Sequence, residues 1–423
     1  MSQCGKKQKR LTFADMNFEF FTAKRLLKQD KHSYSKPIVR IATVSIALSI
    51  AVMIVSVAVL GGFKNGIKEK ITGFTSHIHI LPYSLNENES GEAFSLSEEE
   101  QNKIRSHENT VRINPYILQA GAIKTKESFQ GIIVKGVESG YDTTFFKENL
   151  CEGRLPDFKK ANSNEVLVSK TIADKMNLSL GEKIRVYFFI EQSYRARPFI
   201  VVGIYETGLG DYDSKFILSS CKPLQKLNKW EANQYSGYEV QLKDFSHLDQ
   251  SATELYADLP QDKTLSTIEE IEPGLFAWLD LLDSNVILII IVMTLVTITA
   301  TGSTLLIMVF EQKSYIGLLK SFGAKNRSIV KIYLYKAAYI VGKAALYGNA
   351  IAIVVSLVQS KYKLIKLDQE SYYLDCVPME LDVLSIVIVN LVVIAVSLIA
   401  LLIPARSISR IDPVKNINHT VFF

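Results

Sequence analysis

His77 and His79 alternate along a short apolar run, a spacing that places both imidazoles on one face of a β-strand. Two such histidines could start a metal clamp, but no third ligand stands near them, and a structural zinc takes about four. No metal site is therefore expected. Cys4, Cys151, Cys221 and Cys376 include no CxxC pair, which argues against a zinc or thioredoxin-like centre. Cys151 and Cys221 could bridge if both reach an oxidising compartment, or both could stay as thiols. With six histidines in all, no Ser/His/Asp or Cys/His set stands out. No GxxxxGK[ST] loop is present, so the chain does not bind and split ATP by that route. Glu269, Glu270 and Glu272 read as the solvated face of a helix. These residues give no catalytic group, no metal ligand set and no cofactor on this chain, which is expected not to be an enzyme.

The elements around them belong to a membrane protein. A bilayer core needs about 20 apolar residues in helical form. Four segments qualify: 41–62, 286–310, 332–358 (interrupted by Lys336 and Lys343) and 383–403, which is followed by Pro404. The stretch before the first span is too long for the n-region of a signal peptide, and the apolar run too long for its h-region. The net charge of +5 is no dense basic patch, so nucleic-acid binding is not expected. Basic residues instead gather beside the spans. Lys24, Arg25, Lys28, Lys31, Lys36 and Arg40 precede the first. Lys313, Lys320, Lys325, Arg327 and Lys331 link the second to the third, and Arg406, Arg410 and Lys415 follow the fourth. Residues 1–40, 311–331 and 404–423 are therefore expected in the cytoplasm, and 63–285 and 359–382 outside. Asp15–Leu27 reads as an amphipathic elbow along the inner leaflet, with Met16, Phe20, Ala23 and Leu27 at helical spacing. Lys343 inside the third span either pairs with an acid or snorkels to the surface.

The expected fold is four transmembrane α-helices plus a large α+β domain, residues 63–285, inserted between the first and second. Gly61–Gly73 and Ile268–Asp283 continue helically out of the bilayer as a stalk, with Trp278 as interfacial anchor or packed stalk residue. Between them, Ser97 and Glu100 resemble a capping box for a helix over 95–106. Strands are expected at 77–81, 132–137, 165–168, 183–189, 199–205, 215–218, 238–242 and 264–268, with helices over 169–176 and 248–257.

One span, a large outer domain and three more spans, with particular motifs, resemble the lipoprotein-releasing LolC/LolE-type permease family of ABC transporters, within the wider MacB- and FtsX-like group. The motifs are Leu60-Gly-Gly-Phe-Lys-Asn-Gly66 through Gly73-Phe-Thr-Ser-His-Ile-His-Ile80, Gly317-Leu-Leu-Lys-Ser-Phe-Gly-Ala324, Tyr372-Tyr-Leu-Asp-Cys-Val-Pro-Met-Glu-Leu381, and Pro404-Ala-Arg with Arg410-Ile-Asp-Pro-Val414.

The resemblance implies a bacterial inner-membrane protein with both termini cytoplasmic and the large domain periplasmic. It implies a separate cytoplasmic ATPase dimer, which binds the ATP and Mg, and a second permease subunit, the same chain or a related one. The ATPase would press on the segment carrying Tyr315, Leu319, Lys320, Phe322, Gly323 and Ala324. Lipoprotein cargo would be drawn from membrane lipids into an apolar cavity lined by Val52, Ser56, Leu60, Phe63, Val286 and Ile289. Extracting acyl chains costs about 0.8 kcal/mol per CH₂, so coupling to ATP makes physical sense. A hairpin at Glu191–Arg197, with Gln192, Tyr194, Arg195 and Arg197, would bind a periplasmic lipoprotein carrier or be an exposed turn; it is shorter than the LolC hook. A MacB-like efflux permease, an FtsX-like mechanotransmitter and a non-transporting receptor or scaffold are the alternative functions.

Overall fold

The computed structural model describes residues 18–29, 35–83, 93–125, 128–160, 163–190 and 193–400. Cys4, Asp15, Met16, Gln192 and the 404–414 tail motif lie outside them. In chain order the first elements are α1 (Phe18–Gln29), α2 (Ser35–Thr75), β1 (Ile78–Pro82), α3 (Glu98–Ser106), β2 (Thr110–Lys124), β3 (Phe129–Val137), α4 (Thr144–Glu148) and β4 (Leu150–Gly153). Then come β5 (Glu165–Ser169), α5 (Lys170–Met176), β6 (Lys183–Ile190), β7 (Ser193–Tyr205), α6 (Gly210–Asp213), β8 (Phe216–Ser220), α7 (Cys221–Asn228), β9 (Gly237–Leu242), α8 (Leu248–Asp258) and β10 (Lys263–Thr267). The last are α9 (Ile268–Ile271), α10 (Pro273–Glu311), α11 (Lys313–Ser321), α12 (Asn326–Tyr362), α13 (Gln369–Tyr372) and α14 (Val383–Ala400).

The chain divides into two compact units. One holds residues 1–63, 281–364 and 378–423, the other 64–280 and 365–377. The divisions fall inside α2 and α10.

In the first unit, α2, α10, α12 and α14 are each long and apolar enough to cross a membrane. Ile46, Ile50 and Ile54 of α2 pack with Met308 of α10, Tyr333 and Ile340 of α12, and Val393 of α14. Gly348 lets α12 approach α2 closely, because a Cβ there would stand 2.6 Å from the Ala47 carbonyl oxygen. Asn349 and Asn390 exchange amide hydrogen bonds of 3.2 and 3.0 Å between α12 and α14, satisfying polar groups in apolar spans. On α1, Thr22 and Ala23 are buried, Lys24 and Arg25 are exposed, and the Phe20 ring meets Tyr335 edge-on at 5.6 Å.

Of the two span lysines, Lys343 is exposed and Lys336 fully buried. Helical phase does not decide this, because residues seven apart lie only about 20° off the same face; neighbouring side chains fill the space beside Lys336 and not beside Lys343 two turns further on.

The second unit is built on a mixed sheet ordered β10-β1-β9-β2-β3-β8-β5-β7-β4, with β6 pairing β2 and β7. The pairs β3–β8 and β5–β7 are parallel. Its core gathers Val134, Val168, Phe188, Phe199, Ile217 and Leu224. Ser97 and Glu100 form the expected capping box of α3, and Thr267 with Glu270 forms a second on α9. Pro273 then opens α10 at its first turn, where its missing N–H costs nothing.

Two sequence expectations need correction, and one open alternative is decided. The longest strand, β2, was not anticipated, because Pro115, Gly121 and three polar residues interrupt its pattern; burial against β3 and β9 overrides that weak propensity. The segment expected as a turn at 191–197 is largely strand, since Ser193–Arg197 continue the pairing with β6. Cys151 and Cys221 do not bridge. Cys151 is exposed and Cys221 is fully buried at the first turn of α7, each as a free thiol.

Candidate functional site

The link between α10 and α12 consists of α11 and a turn at either end. The α10 helix ends at Glu311, and Gln312 caps α11 from a non-helical conformation. Its side-chain oxygen accepts from the Tyr333 hydroxyl (2.9 Å) and the Lys336 ammonium (3.0 Å), tying the start of α11 to α12. Ile316 and Gly317 are buried, and Leu319 and Ala324 pack on the bundle core. Tyr315 and Lys320 are half-buried. At the far end Gly323 takes φ +86°, a left-handed conformation that favours glycine. That turn leaves Phe322 standing 79% exposed. The segment therefore has an inward face that fixes it and an outward face headed by one aromatic ring.

The six residues assigned to a cavity do not join the bundle's own packed core. Val52, Ser56 and Leu60 are half-buried along one stripe of α2, continued by the buried Phe63. Val286 and Ile289 are half-buried on α10. Only 6% of the most apolar window of α10 is buried, against 44% for α2. The most apolar stretch of α10 is thus almost entirely half-buried or exposed, while Leu305, Met308 and Val309 nearer its end join the core.

At the hairpin, Tyr194 is 79% exposed and stacks at a tilt on Phe189, 5.2 Å between centroids. Arg195 donates to the Leu227 carbonyl at 2.6 Å, so it holds the hairpin to the domain. Arg197 is exposed. Gln192 lies outside the described residues.

His77 and His79 are both buried, and no group of three or more His, Cys, Asp or Glu among the described residues could hold a metal. The His77 Nδ1 accepts from the Leu242 N–H, and the His79 Nδ1 meets the Tyr116 hydroxyl at 3.0 Å. Burial holds the His77 imidazole down to about 4; burial, with the nearby Lys135 charge, holds His79 down to about 3. These histidines are neutral structural groups.

Sequence reading missed the joint where α2 ends. Phe74 sits in a ring cage of Phe145, Phe146, Tyr205, Tyr212 and Phe216, at centroid distances of 4.8 to 6.5 Å. Its carbonyl accepts from the Lys135 ammonium at 2.6 Å and the Tyr141 hydroxyl at 3.3 Å. Lys135 of β3 also donates to the Glu239 carboxylate of β9 at 2.6 Å, with both side chains essentially solvent-free. Burial pulls the lysine down and the carboxyl up, and their contact opposes both shifts. A cation at the carbonyl end of a helix is favourable, and here it bonds the helix to two sheet strands at once. A lysine in the run Ile132-Ile-Val-Lys-Gly-Val137 was the available signal; its partner needed the register.

Known proteins place this architecture. Residues 41–257 match the family described as MacB-like periplasmic core domain, and 287–413 match the FtsX-like permease C-terminal family. A LolC lipoprotein-releasing system transmembrane protein of Xylella fastidiosa is 20% identical, covering 88% of this chain and 92% of that protein. The corresponding LolE protein of Haemophilus influenzae is 20% identical, covering 95% and 99%. The periplasmic region of MacB from Actinobacillus actinomycetemcomitans aligns with TM-score 0.34 and 15% identity, over 50% of this chain and 97% of that one. The first match spans more than half of the sequence, and the chain belongs to the family with a MacB-like periplasmic core domain, joined here to an FtsX-like permease C-terminal region.

Proposed function

We propose that this chain is a permease subunit of an ABC transporter that releases lipoproteins from the bacterial inner membrane. The observation that carries this reading is its near full-length likeness to proteins named as transmembrane components of lipoprotein-releasing systems. The large domain, inserted between the first two spans, stands in the periplasm, and both termini stand in the cytoplasm. A separate ATPase binds ATP and Mg and presses on α11 and the turn after it, with Phe322 as the contacting knob. A second permease subunit, the same chain or a related one, covers the apolar face of α10.

The displacement travels along α2. That helix runs unbroken over 41 residues, about 60 Å at 1.5 Å per residue, and its last turn is held by the Phe74 cage and Lys135. Val52, Ser56, Leu60, Phe63, Val286 and Ile289 face cargo acyl chains, and the β6–β7 hairpin offers Tyr194 and Arg197 to a periplasmic carrier. No bond in the cargo is made or broken; the work is transfer of acyl chains out of lipid.

The reading is tested by purifying the chain from a bacterial membrane in mild detergent and identifying what accompanies it. An ATPase and a second permease are expected, with ATP-dependent release of a radiolabelled lipoprotein from proteoliposomes to an added carrier. A chain that carries no ATPase and releases nothing in the presence of its neighbours would be a receptor or scaffold instead.

A further inference from the structure

The large domain carries a cleft of about 510 Å³ beside the last turns of α2, apart from the surfaces already assigned. Its floor is polar. Asn114 of β2 lines it with only 7% of its surface exposed, yet its amide has no protein partner among the described residues. The amide opens into the cleft, where it suits a ligand that both donates and accepts hydrogen bonds. Gln241 of β9 lines the same floor, also without a protein partner for its amide. The register pairs Asn114 with Glu239 and Arg112 with Gln241, so the two amides are diagonal neighbours on one face. Such neighbours lie about 7–8 Å apart. Same-side groups of an extended polypeptide recur every two residues, about 6.7 Å. Two primary amides at this spacing match two peptide groups, each amide offering one donor and one acceptor.

The mouth of the cleft is acidic. Lys70 is committed, donating to the Thr207 and Tyr373 carbonyls at 2.6 and 2.8 Å. Asp142 is committed to Arg112 at 3.3 Å. Glu69 and Glu148 are both exposed, line the cleft, and have no ion-pair partner among the described residues.

We propose that this cleft binds an extended polypeptide segment carrying a basic side chain, with its peptide groups on Asn114 and Gln241 and its cation beside Glu69 and Glu148. The segment belongs to the polypeptide part of the cargo, and in that respect alone the inference rests on the proposed release function.

The test uses the purified full-length chain at low salt and a fluorescein-labelled probe, acetyl-Ser-Lys-Ser-Gly-Ser-amide, which has no acyl chain. Fluorescence anisotropy should show saturable binding, and the same probe with Glu in place of Lys should bind at least about tenfold more weakly. Asn114→Leu should weaken the Lys probe by about tenfold, the loss of one or two ligand hydrogen bonds. Glu148→Lys, an exposed change that leaves the fold alone, should narrow or reverse the preference between the probes. Equal binding of both probes, or unchanged binding in both variants, overturns the proposal. Displacement of the probe by micromolar chitotriose would make the cleft a saccharide site and overturn it equally. Release from proteoliposomes separates the two readings. If Asn114→Leu loses probe binding but releases lipoprotein normally, the cargo assignment fails and the release function stands. If the wild type binds the probe but never releases lipoprotein, the release function fails and the peptide site stands.

Discussion

Phe322 and Lys135 are single residues with opposite settings, and they fail in opposite ways when changed. The Phe322 ring is 79% exposed, so Phe322→Asp should fold normally. It should reduce retention of a co-purifying ATPase by at least tenfold in a pull-down; undiminished retention would remove Phe322 from the coupling surface. Lys135 is different, because its partner Glu239 is buried with it. Lys135→Met leaves a buried carboxylate without its cation and should destabilise the domain by about 3–5 kcal/mol. Removing both charges, as in Lys135→Met with Glu239→Leu, should recover much of that loss in urea unfolding. His77 and His79 set the domain's response to acid. Both are neutral when folded and take a proton only near pH 4 and 3, whereas an unfolded chain protonates them near 6.5. The unfolded state thus binds more protons below 6.5. The full stability is present above that pH and is lost as pH falls toward 4, by up to about 2 kcal/mol per histidine at pH 5. Thermal melts at pH 7.5 and 5.0 check it, and a His77→Gln, His79→Gln variant should show a smaller acid shift.

At the scale of elements, close approach matters more than propensity. The α2–α12 contact depends on Gly348, where a Cβ would stand 2.6 Å from a backbone oxygen that cannot move aside cheaply. Gly348→Leu should force these helices apart and lower the yield of folded protein from the membrane, while Gly342→Ala on the same helix, where a Cβ meets nothing within 4 Å, should be silent. The end of α2 is equally tight, since a Cβ at Gly73 would lie 2.5 Å from the Phe145 ring. Most strands were readable because β-branched runs such as Glu165-Val-Leu-Val168 and Tyr238-Glu-Val-Gln-Leu242 lie between turn residues. The strand β2 was not, because its Pro, Gly and polar positions are tolerated only by strands on either side of it. The turn after α11 was legible through Ser321-Phe-Gly-Ala324, where Gly323 takes the left-handed conformation that ends the helix.

At the scale of the whole molecule, the native cysteines report topology. Cys151 is exposed on the large domain and Cys221 is fully buried in it. A membrane-impermeant maleimide added to spheroplasts of a bacterial host should label Cys151 and spare Cys221 until the protein is denatured. Cys151 labelling that requires permeabilised cells would place the large domain in the cytoplasm and overturn the proposed orientation.

Hydropathy along the chain was enough to find the four spans, because bilayer thickness acts on local sequence. The capping box of Ser97 and Glu100 and the exposed Phe322 beside its glycine were legible for the same reason: each is settled within a few residues. Pairing across long separations was not. Lys135 and Glu239 are 104 positions apart and meet only through the order of β3, β2 and β9. The same register brings Asn114 beside Gln241 and makes a cleft floor from two ordinary amides. Whether a polar residue in an apolar run becomes buried, as Lys336 does, or exposed, as Lys343 is on nearly the same helix face, depends on what packs beside it at its own level of the helix, and only tertiary packing decides that.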